Sequence, residues 1–199
     1  VEPYEILISP YEVYLAPVGE SFPDVDETPG GNWTLLGTNG KFNISEDGVT
    51  VTHNQTIEKK RTVGSTGPVK AVRTEEDLMI SFILEDLTLE MYAKALNNVT
   101  VTDTAAASGT PGYREITLRQ GREVAVFAVL VKGKSSYGDS WYGQYQIPKA
   151  YDSGNLTPKF NKSDVAALSF EFTALEDPDA ASEEERFGTL RMQDATALA

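Results

Sequence analysis

Cysteine is absent from this chain of 199 residues, and histidine occurs once, at His53. The first absence excludes a disulfide framework and cysteine-ligated zinc, and it fits assembly in a reducing cytoplasm. The second narrows catalysis, because a Ser-His-Asp arrangement would rest on one residue in the middle of a predicted strand. No apolar run is long enough to span a membrane. The opening VEPYEILISPYEVYLAPVGE has neither the basic flank nor the long apolar stretch of a secretory signal, so the chain is expected to be made and used without export. The motifs GxxxxGKS/T, GxGxxG and GxSxG are missing too, and DVDETPGG lacks the alternating ligand spacing of an EF-hand loop. Asp24, Asp26 and Glu27 therefore read as a solvated loop, and no catalytic, cofactor or metal site is expected. Positive charge is scarce as well: 17 Lys and Arg stand against 30 Asp and Glu, for a formal net charge of −13. That balance argues against a general nucleic-acid binder, which needs a surplus of cations on its contact face.

What is present is a set of short alternating segments separated by Gly, Pro, Asn and Asp, in a length that fits one globular domain. Tyr11 to Ala16 reads as a first strand stopped by Pro17, followed by an irregular stretch to Asn32. Trp33–Thr38 and Lys41–Glu46 read as a hairpin turned at Asn39-Gly40. Asp77 to Leu84 reads as a central strand covered on both faces, and Leu87 to Leu96 as the one helix, with Thr88 as its N-cap and Asn97-Asn98 as its end. Tyr113–Leu118 and the almost wholly apolar Glu123–Lys132 read as strands joined through Gln120-Gly121. After a turn over Ser135–Ser140, strands are predicted at Trp141–Tyr151 and Ala167–Leu175. Many antiparallel strands and one helix predict a mainly β fold, an antiparallel β-sandwich or barrel with one flanking α-helix. The acidic stretch after Pro178 reads as a short helix or a mobile tail, from which Phe187, Leu190 and Met192 could still dock on a partner.

The most informative segment is the alternating run from Val49 to Val63, with its Gly-Ser-Thr-Gly-Pro apex at Gly64–Pro68 and its return to Leu78. It predicts a long projecting β-hairpin arm whose middle has no core of its own, and a lone two-stranded ribbon is marginal in water. Lys59, Lys60, Arg61, Lys70 and Arg73 flank the apex, leaving the rest of the chain more negative than the total. Segregated charge of this kind suits identical subunits stacking head to tail, basic arm against acidic surface. Six Asn-x-Ser/Thr sequons, starting at Asn32, Asn43, Asn54, Asn98, Asn155 and Asn161, are ordinary turn and solvent-face residues in the absence of an export signal. Trp141, Tyr142, Tyr145 and Tyr151 could form a sugar-stacking platform or serve as core and interface anchors.

The segments EVYLAPVGESFPDVDETPGGNWTLLGTNG, SEDGVTVTHNQTIEKKRTVGSTGPVKAVRTEEDLMISFILEDLTLEMYAKALN and FEFTALEDP resemble the major tail tube proteins of long, flexible-tailed bacteriophages. The resemblance runs from about Glu12 to Pro178, and the central block is its specific part. It implies hexameric rings stacked into a hollow tube that conducts genomic double-stranded DNA without binding it, in a virion tail assembled in the host cytoplasm. By the same resemblance, sheets of neighbouring subunits join into one inner barrel. A tape-measure protein lies inside, and tail terminator and distal tail proteins close the ends. The loop around Thr62 to Val72 would bridge adjacent rings, which makes Lys59, Lys60, Arg61, Thr62, Ser65, Thr66, Lys70 and Arg73 the ring-stacking candidates. Glu58, Glu75, Glu76, Asp77 and Glu171 are candidates for the lumen wall. The expected organisation is an N-terminal arm over 1–10, a β-sandwich domain over 11–177 and an acidic tail over 178–199. The alternatives are a ring protein of a gene-transfer particle or contractile tail, a carbohydrate-binding or decoration module using the aromatic strand, and a hydrolase.

Overall fold

The computed structural model describes residues 11–135, 141–162 and 165–195, so the expected N-terminal arm and most of the Ser135–Ser140 turn lie outside the described residues. The elements in chain order are β1 (Glu12–Pro17), β2 (Thr34–Leu35), β3 (Thr50–Lys60), β4 (Lys70–Leu84), α1 (Leu89–Ala95), β5 (Val101–Thr104), β6 (Tyr113–Ile116), β7 (Val126–Lys134), β8 (Tyr142–Asp152), β9 (Leu168–Ala174) and β10 (Thr189–Met192). One antiparallel sheet runs in the order β2-β1-β7-β8-β9-β4-β3, while β5 and β6 form a separate ribbon. The edge of β8 away from β7 is divided, with β10 on Gly143–Gln146 and β9 on Ala150–Asp152. The fold is mainly β with one flanking helix, a sandwich-type architecture, as the strand pattern predicts.

Alternation explains the core. Val13 and Leu15 of β1, Phe127, Val129 and Val131 of β7, Phe170 and Phe172 of β9, and Ile80, Phe82 and Leu84 of β4 all enter one cluster, against which Met91 and Ala95 of α1 pack. Phe82, Phe170 and Phe172 stack with ring centroids 5.3, 6.3 and 5.8 Å apart, and aromatic pairs of this kind add about 0.5–1.5 kcal/mol each beyond burial. The opposite faces of β1 and β7 are buried too, because the irregular stretch after Pro17 folds back over them. Trp33 and Phe22 cover Tyr14, Ala16, Ala128 and Leu130, and the Trp33 indole N–H donates to the Ser21 carbonyl at 3.0 Å. An almost wholly apolar β7 needs this double covering.

Polar side chains fasten the same flap. The Lys132 ammonium donates to the Glu27 carbonyl, and the Gln144 amide donates to the Pro23 carbonyl at 2.9 Å. Both residues are buried, so each bond satisfies a group that would otherwise be costly to remove from water.

Helix α1 forms where its pattern predicts it. The Thr88 hydroxyl accepts the Met91 N–H at 3.3 Å, and Asn97 and Asn98 end the helix with positive φ of 67° and 55°.

Four other expectations change. Trp33–Thr38 and Lys41–Glu46 do not form a hairpin: only Thr34–Leu35 is strand, paired with β1, and Gly40–Asn43 is a 3-10 turn. The reason lies in side chains, since the Asp86 carboxylate takes both the Thr38 N–H and hydroxyl at 2.6 Å and the Asn43 amide oxygen takes the Asn39 N–H. Nor does β6 pair with β7. Its partner is β5, because the Asn97 amide occupies the backbone of the intervening loop, donating to Gln120 and Glu123 carbonyls at 2.6 and 2.8 Å and accepting the Ala125 N–H at 2.6 Å. The body end of β4 is covered on one face, with Leu78, Ile80, Phe82 and Leu84 buried and Ile83 exposed. After Pro178 the chain makes a 3-10 turn at Glu183–Glu185, packs Phe187 on the core and adds β10 to the sheet.

Two details yield tests. At Gly188, φ is +115° and a Cβ would lie 2.0 Å from the Gln146 carbonyl oxygen. Gly188→Ala is therefore expected to lift β10 from β8, giving fast amide exchange over Thr189–Met192 with protection in β7 retained; unchanged protection in β10 would refute the packing.

Asp152 ends β8 opposite Phe172, and burial pushes its carboxyl up to about 6 from the ordinary 3.8, against two stabilising bonds from the Gly154 and Glu171 N–H groups. A raised folded-state value means this group favours the fold while protonated. Its contribution is complete below the ordinary aspartate range and lost as pH rises through about 6. Urea unfolding at about pH 4.5 and about pH 7 should show the wild type falling relative to Asp152→Asn at the higher pH. An equal gap between the two proteins at both pH values would contradict this.

Candidate assembly interface

Strand β4 belongs to two environments. Its last six residues, Met79–Leu84, pair with β9, and just beyond them the Asn43 carbonyl accepts the Glu85 N–H at 2.6 Å while the Ile83 carbonyl accepts the Ser45 N–H at 2.9 Å. The other nine residues pair only with β3. From the His53↔Leu78 register to Lys60↔Lys70 the two strands form a ribbon of roughly 23 Å before the loop begins. Every residue from His53 to Asp77 is exposed except the half-buried Gly67. The outer edge of β3 has no strand partner among the described residues, and β9 stops at Met79, so both edges of the arm carry unpaired backbone groups.

Side-chain bonds along the arm are exposed and weak. Thr56 donates to the Glu75 carboxylate at 3.0 Å, Arg73 to Gln55 at 3.0 Å and to Glu76 at 3.3 Å, and Lys60 to Glu58 at 3.2 Å. Exposed ion pairs of this type are worth about 0–1 kcal/mol. The tip is closed by the Val69 N–H on the Lys60 carbonyl at 2.9 Å and turned by the Ser65 N–H on the Thr62 carbonyl at 3.1 Å. Arg61 spends its guanidinium inside the loop, on the Thr66 carbonyl at 2.6 Å, and the Ser65 hydroxyl donates to the Gly67 carbonyl at 3.2 Å. The ring-stacking candidates Lys59, Lys60, Arg61, Thr62, Ser65, Thr66, Lys70 and Arg73 thus lie together on the outer half of one hairpin.

Cross-strand partners share a face, which sorts the carboxylates. Thr56↔Glu75, Asn54↔Asp77, Thr50↔Ser81 and Ser81↔Glu171 lie on one face, and Glu58 joins it by alternation along β3. That face is the solvent side of β4 and β9, where Ser153 also donates to the Glu171 carboxylate at 3.0 Å. Glu76 is a correction: paired with Gln55, it points to the opposite face and bonds Arg73, so it cannot share a wall with Glu58, Glu75, Asp77 and Glu171.

Sequence reasoning missed two features here. Val63, Val69, Val72 and Ile57 are exposed on the arm, and the ladder has a register shift beside Thr56. The exposed valines were visible as apolar residues within a basic, hydroxylated stretch, whereas the shift leaves no trace in composition.

Elsewhere the surface offers less. His53 is exposed on the arm, and Asp24, Asp26 and Glu27 are exposed in the flap. Among the described residues, no three His, Cys, Asp or Glu side chains group as metal ligands would. A cavity of about 180 Å³ lies beneath the flap, lined by Glu12, Asp26, Glu27, Lys41, Lys132 and Lys134, together with Tyr14 and Tyr142. Burial pushes the Lys132 ammonium down, while Asp26, Glu27 and Glu12 act to hold it charged; the Tyr14 phenol is raised by burial and by donating to Glu12 at 2.7 Å. Tyr142 lies beneath the Lys132 and Lys134 ammonium groups at 5.0 and 5.6 Å, and Tyr145 packs on the core, so the chain itself occupies part of the aromatic strand. No helix among the described residues is long and apolar enough to cross a membrane.

Comparison with protein-family models gives no match to this chain, and comparison with curated proteins gives none either.

Proposed function

We propose that this chain is a structural subunit that builds a hollow tube from copies of itself, in the manner of the major tail tube proteins it resembles. Hexameric rings would stack into the tail of a virion and conduct double-stranded DNA into a host cell. The single observation that carries the reading is the arm: 25 consecutive residues, His53 to Asp77, project with no core beneath them and with both edges unpaired among the described residues. An isolated ribbon of that kind is marginal, and a neighbouring subunit supplies both the apolar contact for Val63 and Val69 and the backbone partners for the edges.

Charge supports the same reading. No acidic residue occurs between Lys59 and Arg73, whereas the chain as a whole carries −13. Basic arms then meet acidic bodies, which steers like subunits into one register. The face bearing Glu58, Glu75, Asp77 and Glu171 is the candidate lumen wall. A wall of the same sign as phosphate offers DNA no binding sites, so transit is not arrested. No bond is made or broken in this function, and geometry and like-charge repulsion suffice.

Negative-stain imaging of concentrated protein tests the proposal directly, with stacked rings expected and persistent monomers contradicting it. Reversing charge at Lys59, Lys60 and Arg61 should leave the circular dichroism of the body intact while shortening tubes several-fold, because these residues touch nothing in the core. Tubes of unchanged length would reject their stacking role.

A further inference from the structure

The ladder of the arm is out of step by one residue. Pairing runs one for one from Thr50↔Ser81 to Thr56↔Glu75, and then Ile57 meets Arg73, leaving Thr74 unpaired in a bulge. Beyond it Glu58 faces Val72, Lys59 faces Ala71 and Lys60 faces Lys70. Had the count continued without the bulge, Glu58 would face Arg73 and Lys60 would face Ala71. The arm therefore gives up an attractive cross-strand pair and accepts two ammonium groups directly opposite each other, an arrangement unfavourable within the ribbon. Glu58 relieves Lys60 alone, at 3.2 Å, and Lys70 has no ion-pair partner among the described residues. The local backbone is held in this form by the Thr74 hydroxyl, which donates to the Thr56 carbonyl at 3.3 Å.

We infer that the Thr74 bulge sets Lys60 and Lys70 as a two-pronged clamp for a carboxylate on a second copy of this chain. The inference rests on the assembly reading above and names the contact that fixes its register. Charge complementarity selects the occupant: a chain with 30 acidic and 17 basic residues presents carboxylates over its body, while the arm from Lys59 to Arg73 has cations and no acidic residue, Glu58 just before it being bonded to Lys60. Bulges serve to re-aim side chains, and here the re-aimed set is Lys70 together with Val72 on one face and Arg73 on the other. A partner carboxylate between the two ammonium groups converts a repulsive pair into two attractive ones. The same register that is unfavourable in a lone arm is then favourable in an assembled one.

This predicts effects of opposite sign in free and assembled protein. Thr74→Val removes the hydroxyl bond that holds the bulge and so favours the register in which Glu58 faces Arg73, and Lys70→Glu places opposite charges across from each other. In dilute subunits both changes should slow amide exchange along the arm. In concentrated protein both should weaken association by about tenfold, measured by sedimentation and tube length, whereas Lys70→Arg should associate as the wild type does. The wild-type association should also weaken with added salt. Either variant assembling like the wild type, or faster arm exchange in both, overturns the clamp and leaves the assembly reading standing. Failure of the wild type to assemble overturns the assembly reading itself, and the clamp with it.

Discussion

The pairing of Met79–Leu84 with β9 is the joint on which everything else in the molecule hangs. Phe82 lies opposite Phe170 and Ile80 opposite Phe172 across that joint, so the stacked phenylalanines of the core sit at the root of the arm. A ribbon with so few contacts of its own keeps its direction only if its base is immobile. The aromatic stack supplies that immobility, and the same continuous strand carries it outward. Stability and reach are thus properties of one 15-residue strand whose two ends live in different surroundings.

The flap over β7 and β8 answers a second constraint. A sheet this broad exposes a face wherever no second layer exists, and α1, the single α-helix among the described residues, is placed against the inner core. Residues 18–33 cover the outer face instead, using Trp33 and Phe22 where the strands are apolar and backbone carbonyls where Lys132 and Gln144 need partners. This division follows the side chains below it, residue by residue. It also encloses a cavity lined by Lys41, Lys132 and Lys134, whose carboxylate neighbours leave it close to neutral and so without an evident preference for a ligand sign.

Much of this was legible in the sequence, and the reasons are local. The arm announced itself through alternation around a Gly- and Pro-bearing apex, α1 through Thr88 and the paired asparagines, β7 and β9 through their apolar periodicity. What failed were pairings decided by distant side chains. Asn39-Gly40 has the composition of a hairpin turn, but Asp86, far along the chain, takes the Thr38 N–H, and Asn43 takes the Asn39 N–H. Gln120-Gly121 looks like a turn joining two neighbours, yet Asn97 binds its flanks and sends β6 to β5. The acidic end looked mobile because its charges outnumber its large apolar residues, although backbone pairing with β8 needs no burial of Leu190 or Met192. For the candidate site, composition located the basic residues and period-two alternation separated the faces. The change of step at Thr74 was invisible, because a bulge is a property of two strands and leaves no signature in either one.

The outer edge of β3 has a further consequence for handling. Among the described residues nothing pairs with it over its 11 residues, but the side chains beside it are mostly hydroxyl, amide and charged, with Ile57 the one large exposed aliphatic of the strand. Fibrillar stacking requires dry, interlocking side-chain surfaces as well as free edges, and this edge offers only the second. A vacant strand of this composition therefore resists irreversible condensation, and any pairing on it is selected by shape and charge instead of stickiness.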